Sequence, residues 1–273
     1  DIRPVFPEER LLLEIMTDKT PGYYEKMSVW NCSGNRYIAD GQRVDFAVKD
    51  LKDKNPNDIR IRYENEVSNI DYKYFNEFKD RFVKANRSRY EFIVKEAVDY
   101  IKNSTKDYTA KDMFVSFSGG KDSTVTSDLV MRALSEPKIL HIFGDTTLEF
   151  PETMKYIERF KKEHPQTPIV SSRNKDKDFE ELCALVGPPS RVMRWCCTIF
   201  KTGSIQRKIK SLFRNKDKII TFYGIRRSES ASRNKYERET EGAKITKQIT
   251  ISPIIDWMDF DIWLYLLTTK TDF

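Results

Sequence analysis

The sequence predicts an α/β fold in which a parallel sheet carries helices on both faces. Three observations predict it. From Phe114 onward, short runs rich in β-branched and aromatic residues alternate with stretches of helical apolar spacing. One such run, Phe114-Val115-Ser116-Phe117, passes directly into a glycine turn and a helix start, Ser118-Gly119-Gly120-Lys121-Asp122-Ser123. Two further runs, Ile139–Phe143 and Ile219–Gly224, lead into polar residues. In an open α/β sheet such residues meet ligands at the carboxyl ends of the strands.

The glycine turn organises the rest. Gly119 and Gly120 allow a sharp reversal and a close backbone approach to a ligand. Val125, Leu129, Ala133 and Leu134 continue a helix behind them. A helix N-terminus offers free N–H groups and a positive dipole end. With Lys121, Ser118 and Ser123 beside it, the turn reads as an anion site, most naturally for phosphate. It is not a Walker A loop, because no glycine precedes Gly119 at the required spacing.

A chain of 273 residues holds one large domain, or one domain with a smaller appendage. No stretch approaches the length of a membrane span, and the start carries no signal-peptide pattern. The four cysteines, Cys32, Cys183, Cys196 and Cys197, lack the spacing of a disulfide framework, so a reducing cytoplasm is expected. The chain begins at Asp1 without Met and stops at Phe273 just after an apolar helical pattern, so missing sequence at either end is expected. The net charge of +6 is uneven: Lys201 to Thr250 holds 14 Lys and Arg against 5 Asp and Glu. That stretch reads either as a surface meeting an anionic substrate or as a solvated face.

Residues 1–70 read as an accessory region. Glu8 to Met16 reads as a short helix after Pro7. Asn35–Ala39, Asp40-Gly41 and Gln42–Val48 form a β-hairpin with a type I′ turn. Asp50 to Asp58 is a polar loop, and Cys32 reads as a small packed residue. Residues 71–112 then hold one long helix, 72–103, with Phe75, Phe78, Phe82, Ala85, Phe92, Ala97 and Ile101 on one face, and a polar link. Residues 113–273 are expected to form one domain around the glycine turn, a nucleotide-binding one if the anion held there is a nucleotide's phosphate. Its second strand ends at Gly144-Asp145-Thr146-Thr147. A helix after Pro151 follows, then a strand at Ile169–Ser172 and a helix from Phe179 to Val186. A fourth strand, Ile219–Gly224, runs into Arg226, Arg227, Ser228, Glu229 and Arg233. Arginine forks match phosphate and sulfate oxygens in pairs; the alternative is a loop ion-paired through Glu229. A closing helix runs from Asp259 to Leu267.

Five pieces in this order carry a family resemblance: Ser118 to Ser123; Gly144-Asp145-Thr146-Thr147; Arg194-Trp195-Cys196-Cys197 with Lys201; Gly224 to Arg233; and Ser252 to Trp257. From about 113 to 267 the chain resembles the phosphoadenosine phosphosulfate reductase family, within the adenine nucleotide alpha hydrolase (N-type ATP pyrophosphatase) fold. The resemblance implies that Ser118, Gly119, Gly120, Lys121, Asp122 and Ser123 hold phosphate or sulfate oxygens. It places Asp145 and Thr146 near the adenosine or a magnesium ion. Arg226, Arg227 and Arg233 would neutralise anionic groups, with Glu229 orienting them. Lys121, Asp145, Arg226 and Arg227 would then carry catalysis.

It further implies ATP or phosphoadenylyl sulfate as the bound nucleotide. Cys196 and Cys197 would be half the ligands of a 4Fe-4S cluster, yet no cysteine follows Cys197 to complete it; the alternative is a packed thiol pair. Three functions stay open. One is a sulfur-transfer enzyme that cleaves ATP to AMP and pyrophosphate while activating an acceptor such as nucleic acid, as in the related DNA phosphorothioation enzymes. Another is a phosphosulfate reductase of sulfate assimilation. The third is a nucleotide-binding module among partner proteins of a phage-defence-type assembly.

Overall fold

The computed structural model describes residues 2–242 and 247–273, so residues 243–246 of the basic stretch lie outside the described residues. The chain forms two compact units: Asp1–Glu91 with Trp257–Thr271, and Phe92–Asp256 with Asp272–Phe273.

In the first unit, four short antiparallel strands lie in the order β1 (Arg3–Pro4), β2 (Val29–Asn31), β3 (Tyr37–Ala39) and β4 (Gln42–Arg43). The β3–β4 turn has Asp40 at φ 46° and Gly41 at φ 80°, the two left-handed residues that a type I′ hairpin needs. Helix α1 (Pro7–Met16) packs Leu13 with Val5, Tyr24, Val29 and Tyr37. Helix α2 (Pro56–Glu66) begins inside the stretch read as a loop. The Asn55 side chain accepts from the Asn57 N–H at 3.0 Å, and Pro56 fits the first turn.

The single helix expected over 72–103 is two, α3 (Lys73–Ala85) and α4 (Arg87–Thr105). Asn86 lies between them. Its backbone N–H and its side-chain amide both donate to the Phe82 carbonyl, at 3.1 and 2.8 Å, so its side chain competes for a helix carbonyl and ends the run. The apolar face turns with the break. Phe75, Phe78 and Phe82 are buried in α3 and Ile93, Ala97 and Ile101 in α4, while Phe92 is 66% exposed.

Helix α9 (Asp259–Thr269) belongs to this unit and not with the sheet that precedes it, so the 113–273 division does not coincide with the compact units. Leu264 packs against Phe75, Phe78 and Phe82, and buried Asp261 accepts both Arg89 Nε at 3.0 Å and Arg89 Nη2 at 2.9 Å. Both links span long stretches of sequence that local patterning does not report.

The second unit is built on a six-stranded sheet. Its strands are β5 (Met113–Phe117), β6 (Leu140–Asp145), β7 (Ile169–Arg173), β8 (Ile219–Tyr223), β9 (Glu239–Glu241) and β10 (Gln248–Ile251), in the order β7-β6-β5-β8-β10-β9. All neighbours are parallel except β9, which pairs antiparallel with β10 at the edge. Alternate residues face opposite sides. Phe117 and Phe143 meet Tyr156, Ile157 and Phe160 of α6 (Pro151–Glu163), with Met131 of α5 (Lys121–Leu134) against them. Phe114 and Ile142 meet Ile209 and Phe213 at the end of α8 (Ser204–Leu212). Helices therefore cover both faces, as the pattern requires. Helix α7 (Phe179–Val186) has the expected bounds and starts with an Asp178–Glu181 capping box.

Candidate functional site

The strand order sets the place of the site. From β5 the chain moves outward through β6 and β7, then returns on the other side of β5 as β8. The crevice beyond the carboxyl ends of β5 and β8 is thus a topological switch point. Ser116 pairs with Tyr223 and Phe117 with Phe143. The residues following the three strands, Ser118 onward, Gly224 onward and Asp145 onward, therefore emerge at one level.

The glycine turn closes on itself before α5. Ser123 is buried, and its Oγ donates to the Gly120 carbonyl at 2.8 Å and lies 3.1 Å from Ser118 Oγ. Gly119 has φ +75°, and a Cβ there would stand 3.1 Å from Thr153 and 3.2 Å from Ile157, so α6 is pressed against the turn. Beneath it, Thr124 Oγ1 and the buried Tyr156 hydroxyl lie 2.8 Å apart, and burial pushes that phenol up to about 12. Ser118 and Gly120 stay exposed above.

The second loop is bolted to the first. The side chain of Asp122 binds Lys121 Nζ at 3.0 Å through one oxygen and Arg226 Nε through the other. Arg226 is only 3% exposed. Gly224 makes room for this pairing, since a Cβ there would lie 2.6 Å from the Asp122 carbonyl oxygen and 2.8 Å from the Ser123 nitrogen. The arginines are thus not three equal anion receptors. Arg226 is a buried bridge. Arg227 pairs with Asp256 and donates from Nε to the Tyr236 carbonyl at 3.0 Å. Arg233 pairs with Glu229, whose carboxylate also accepts the Arg226 N–H at 3.0 Å, so Glu229 orients this loop.

Asp145 and Thr146 end β6 within their own turn. Asp145 Oδ1 accepts from the N–H of Thr147 at 3.0 Å, with Thr147 at φ 68°, and the Thr146 hydroxyl donates to Glu149 at 2.7 Å. The Thr147 hydroxyl in turn accepts the Phe179 N–H at 3.2 Å, tying this turn to α7.

Cys196 and Cys197 open a π-helical segment, Cys197–Gly203, that leads into α8; such segments occur often at functional sites. Trp195 anchors it, donating to the Gly187 carbonyl at 3.2 Å and packing on Phe179 and Phe200. The two Sγ atoms are 4.0 Å apart, and Cys197 is exposed. Among the described residues, no three His, Cys, Asp or Glu side chains gather to hold a metal ion. A four-iron cluster takes about four ligands, so the residues present do not fit one.

Sequence patterning did not reveal the Asp122–Arg226 bridge, the Asp256 partner of Arg227 or the π-helical turn. A signal existed only for Gly224, a glycine set between a buried strand and a charged loop.

Comparisons with known proteins agree with this architecture. An uncharacterised protein of Methanocaldococcus jannaschii is 34% identical over 231 residues, 85% of this chain and 44% of that protein. The adenosine 5′-phosphosulfate reductase of Anoxybacillus flavithermus is 28% identical over 166 residues, 59% of this chain and 65% of the relative. The chain spans about half the length of the two Methanocaldococcus jannaschii relatives it matches, at 44% and 51%. Among solved structures, Candida glabrata FMN adenylyltransferase superposes with a TM-score of 0.51 at 13% identity, covering 70% of this chain and 61% of that one, a likeness of fold alone. Residues 112–273 match the phosphoadenosine phosphosulfate reductase domain, a span that starts one residue before β5 and takes in every strand-end loop described above. By that match the chain belongs to the phosphoadenosine phosphosulfate reductase family.

Proposed function

We propose that the chain binds an adenine nucleotide with its phosphates on Ser118 to Ser123 and acts in sulfur transfer by cleavage at the α-phosphorus. The observation that carries this reading is the joining of the glycine turn to the Arg226 loop across the β5–β8 switch point, through Asp122 and against Gly224. One crevice then holds a helix N-terminus, Lys121 and the arginine loop, an arrangement suited to polyphosphate. An acceptor oxygen attacks the α-phosphorus and forms a new O–P bond. The bond from the α-phosphorus to its bridging oxygen breaks, and that electron pair leaves with pyrophosphate. The N–H groups of the turn and Lys121 stabilise its charge. A sulfur nucleophile then attacks the acceptor carbon, and AMP departs with the C–O electrons. The basic stretch from Lys201 to Thr250 supports a polyanionic acceptor such as nucleic acid.

A second reading has one specific support, the relatives named adenosine 5′-phosphosulfate reductase. In it the nucleotide is an adenylyl phosphosulfate. A thiolate attacks its sulfur, and the nucleotide phosphate leaves with the S–O electrons. Chromatography of the products separates the two. ATP with acceptor is expected to give AMP and pyrophosphate, and ADP with phosphate would overturn the first reading. Sulfite from adenylyl phosphosulfate and thiol would establish the second.

A further inference from the structure

The proposed sulfur transfer needs a sulfur nucleophile, and neither the glycine turn nor the arginine loop holds a thiol. Cys196 and Cys197 lie in the same unit, and the nucleotide chemistry leaves them unused. Their place in the fold is the carboxyl end of β6. The turn that ends this strand accepts the Phe179 N–H on the Thr147 hydroxyl at 3.2 Å. Phe179 packs on Trp195, with ring centres 5.3 Å apart, and Trp195 immediately precedes the pair. Beyond the π-helical segment, Ile205 stands against Gly144, where a Cβ would lie 3.8 Å from its Cδ1. The segment is thus held on both sides against the last residues of β6, at the level where the glycine turn and the arginine loop emerge.

The two thiols are unequal. Cys197 is exposed, whereas Cys196 is half-buried. Both lie in the first turn of a helical run, 195–212, and the Cys197 N–H donates to the Arg194 carbonyl at 3.1 Å. Lys201 stands one turn on from Cys197. Nucleophilic cysteines occupy such places, partly exposed, at a helix start and near cations. The Sγ atoms are 4.0 Å apart. Two S–S bonds of about 2.05 Å laid end to end span about 4.1 Å. One sulfur atom can therefore stand between them, in the in-line arrangement by which sulfur passes from one thiolate to another. A pair that falls short of a four-iron cluster thus matches the carriage of a single sulfur atom.

We propose that Cys196 and Cys197 carry the sulfur as a persulfide, taken from a small sulfane-sulfur donor such as thiosulfate; this step rests on the sulfur-transfer reading above. The Cys197 thiolate attacks the outer sulfur of thiosulfate. A new S–S bond forms, the old one breaks, and sulfite leaves with its electron pair. The Cys196 thiolate attacks that same sulfur in turn, and Cys197 departs as a thiolate, so the sulfur moves to the less exposed side chain. The outer sulfur of the Cys196 persulfide then attacks the activated acceptor carbon, and AMP leaves with the C–O electrons. A dithiol completes the cycle. One of its thiolates attacks Cys196 Sγ, and the acceptor leaves as a thiolate with the S–S electrons. Its second thiolate then frees Cys196, and the dithiol is oxidised to its disulfide.

Incubation of the whole chain with thiosulfate tests this, with the sulfur located by mass spectrometry of alkylated peptides. The wild type should gain one sulfur atom, found on Cys197 and on Cys196. Cys196→Ser should hold it on Cys197 alone. Cys197→Ser should take it up about tenfold or more slowly, because the exposed thiol is the point of entry. ATP titration of the same preparations reports the nucleotide reading separately. Sulfur uptake without ATP binding would sink that reading and keep the carrier. ATP binding without sulfur uptake would sink the carrier and keep the nucleotide site. Uptake at the same rate on Cys32 or Cys183, or unchanged uptake in Cys197→Ser, would also overturn the proposal.

Discussion

Asp122, in the first turn of α5, and the buried Arg226, three residues beyond the end of β8, form an ion pair across 104 positions of sequence. The same carboxylate holds Lys121. One acidic side chain thereby sets the position of a cation from each of the two loops beyond the carboxyl ends of β5 and β8. This arrangement keeps two positive groups close together without their mutual repulsion. On the proposed function, an arriving phosphate would meet a prearranged surface rather than assembling one.

Asp122→Asn should therefore be costly in two ways. It removes the Asp122 charge from a buried guanidinium, and breaking a buried pair in this way costs about 3–5 kcal/mol. It also removes the carboxylate that holds Lys121 at 3.0 Å, so ATP affinity should fall if the turn holds phosphate. Urea melts and calorimetric titration measure the two effects. A loss of stability under about 1 kcal/mol, within the range of an exposed pair, would show that the bridge is not structural.

His141 predicts a pH effect. It is fully buried in β6, where Nδ1 lies 3.0 Å from the Ile139 carbonyl and Nε2 lies 2.7 Å from Ser127 Oγ. A carbonyl only accepts, so Nδ1 carries the proton and Nε2 accepts from the serine. Burial pushes this imidazole down to about 4 from an ordinary 6.5. On acidification the unfolded chain takes up the proton first. The contribution is thus fully present above pH 6.5, is lost as pH falls towards 4, and changes no further below that. The total is about 3 kcal/mol. His141→Asn should be less stable near neutral pH but lose about 3 kcal/mol less between neutrality and pH 4. Equal losses in both chains by urea denaturation would refute this.

What the sequence made legible was local. The parallel strands from β5 to β8, the glycine turn and α7 each follow from patterns spanning fewer than about ten residues. Strand β10 escaped because Gln248-Ile249-Thr250-Ile251 is short, and β9, Glu239-Thr240-Glu241, has no apolar residue to mark it. The break at Asn86 escaped because one asparagine inside a helical pattern carries little weight until its amide is seen on the Phe82 carbonyl. The arginine loop was legible in composition but not in most of its pairings. Only the folded chain shows that Arg226 pairs with Asp122 and Arg227 with Asp256, whereas the pairing of Arg233 with Glu229 is the alternative that the loop's composition already offered.

The cysteine pair predicts a colourless protein. Two adjacent thiols 4.0 Å apart offer half the ligands of a four-iron cluster, and the described residues add no third. Expressed as residues 1–273 and purified without oxygen, the chain should carry no stoichiometric iron. Exposed Cys197 should meanwhile alkylate readily. A brown preparation with about four irons per chain would show that ligands from elsewhere complete the site.

Two glycines separate the loop's fold from its ligand. At Gly224 a methyl group would strike backbone, 2.6 Å from the Asp122 carbonyl oxygen and 2.7 Å from its carbon. Neither atom swings away as a flexible side chain does, so Gly224→Ala must push the arginine loop off α5. Overpacking of this kind costs about 1–3 kcal/mol, and the Asp122–Arg226 geometry should be lost with it. At Gly120 the situation is opposite. The backbone has ordinary negative φ, and the nearest atom to a new Cβ is Ser118 Oγ at 3.6 Å, an ordinary contact. Gly120→Ala should melt within about 0.5 kcal/mol of the wild type, as an accommodated surface change does. Any methyl group there nevertheless projects from the exposed turn where phosphate oxygens must approach the N–H groups. If the turn holds phosphate, Gly120→Ala should bind ATP about tenfold or more weakly despite its intact fold, matching the loss of one charge-assisted contact. Thermal melts paired with ATP titrations of the two variants read this out. Unchanged ATP affinity in folded Gly120→Ala would place the phosphates elsewhere, and a Gly224→Ala chain as stable as wild type would show that the two loops yield where the packing says they cannot.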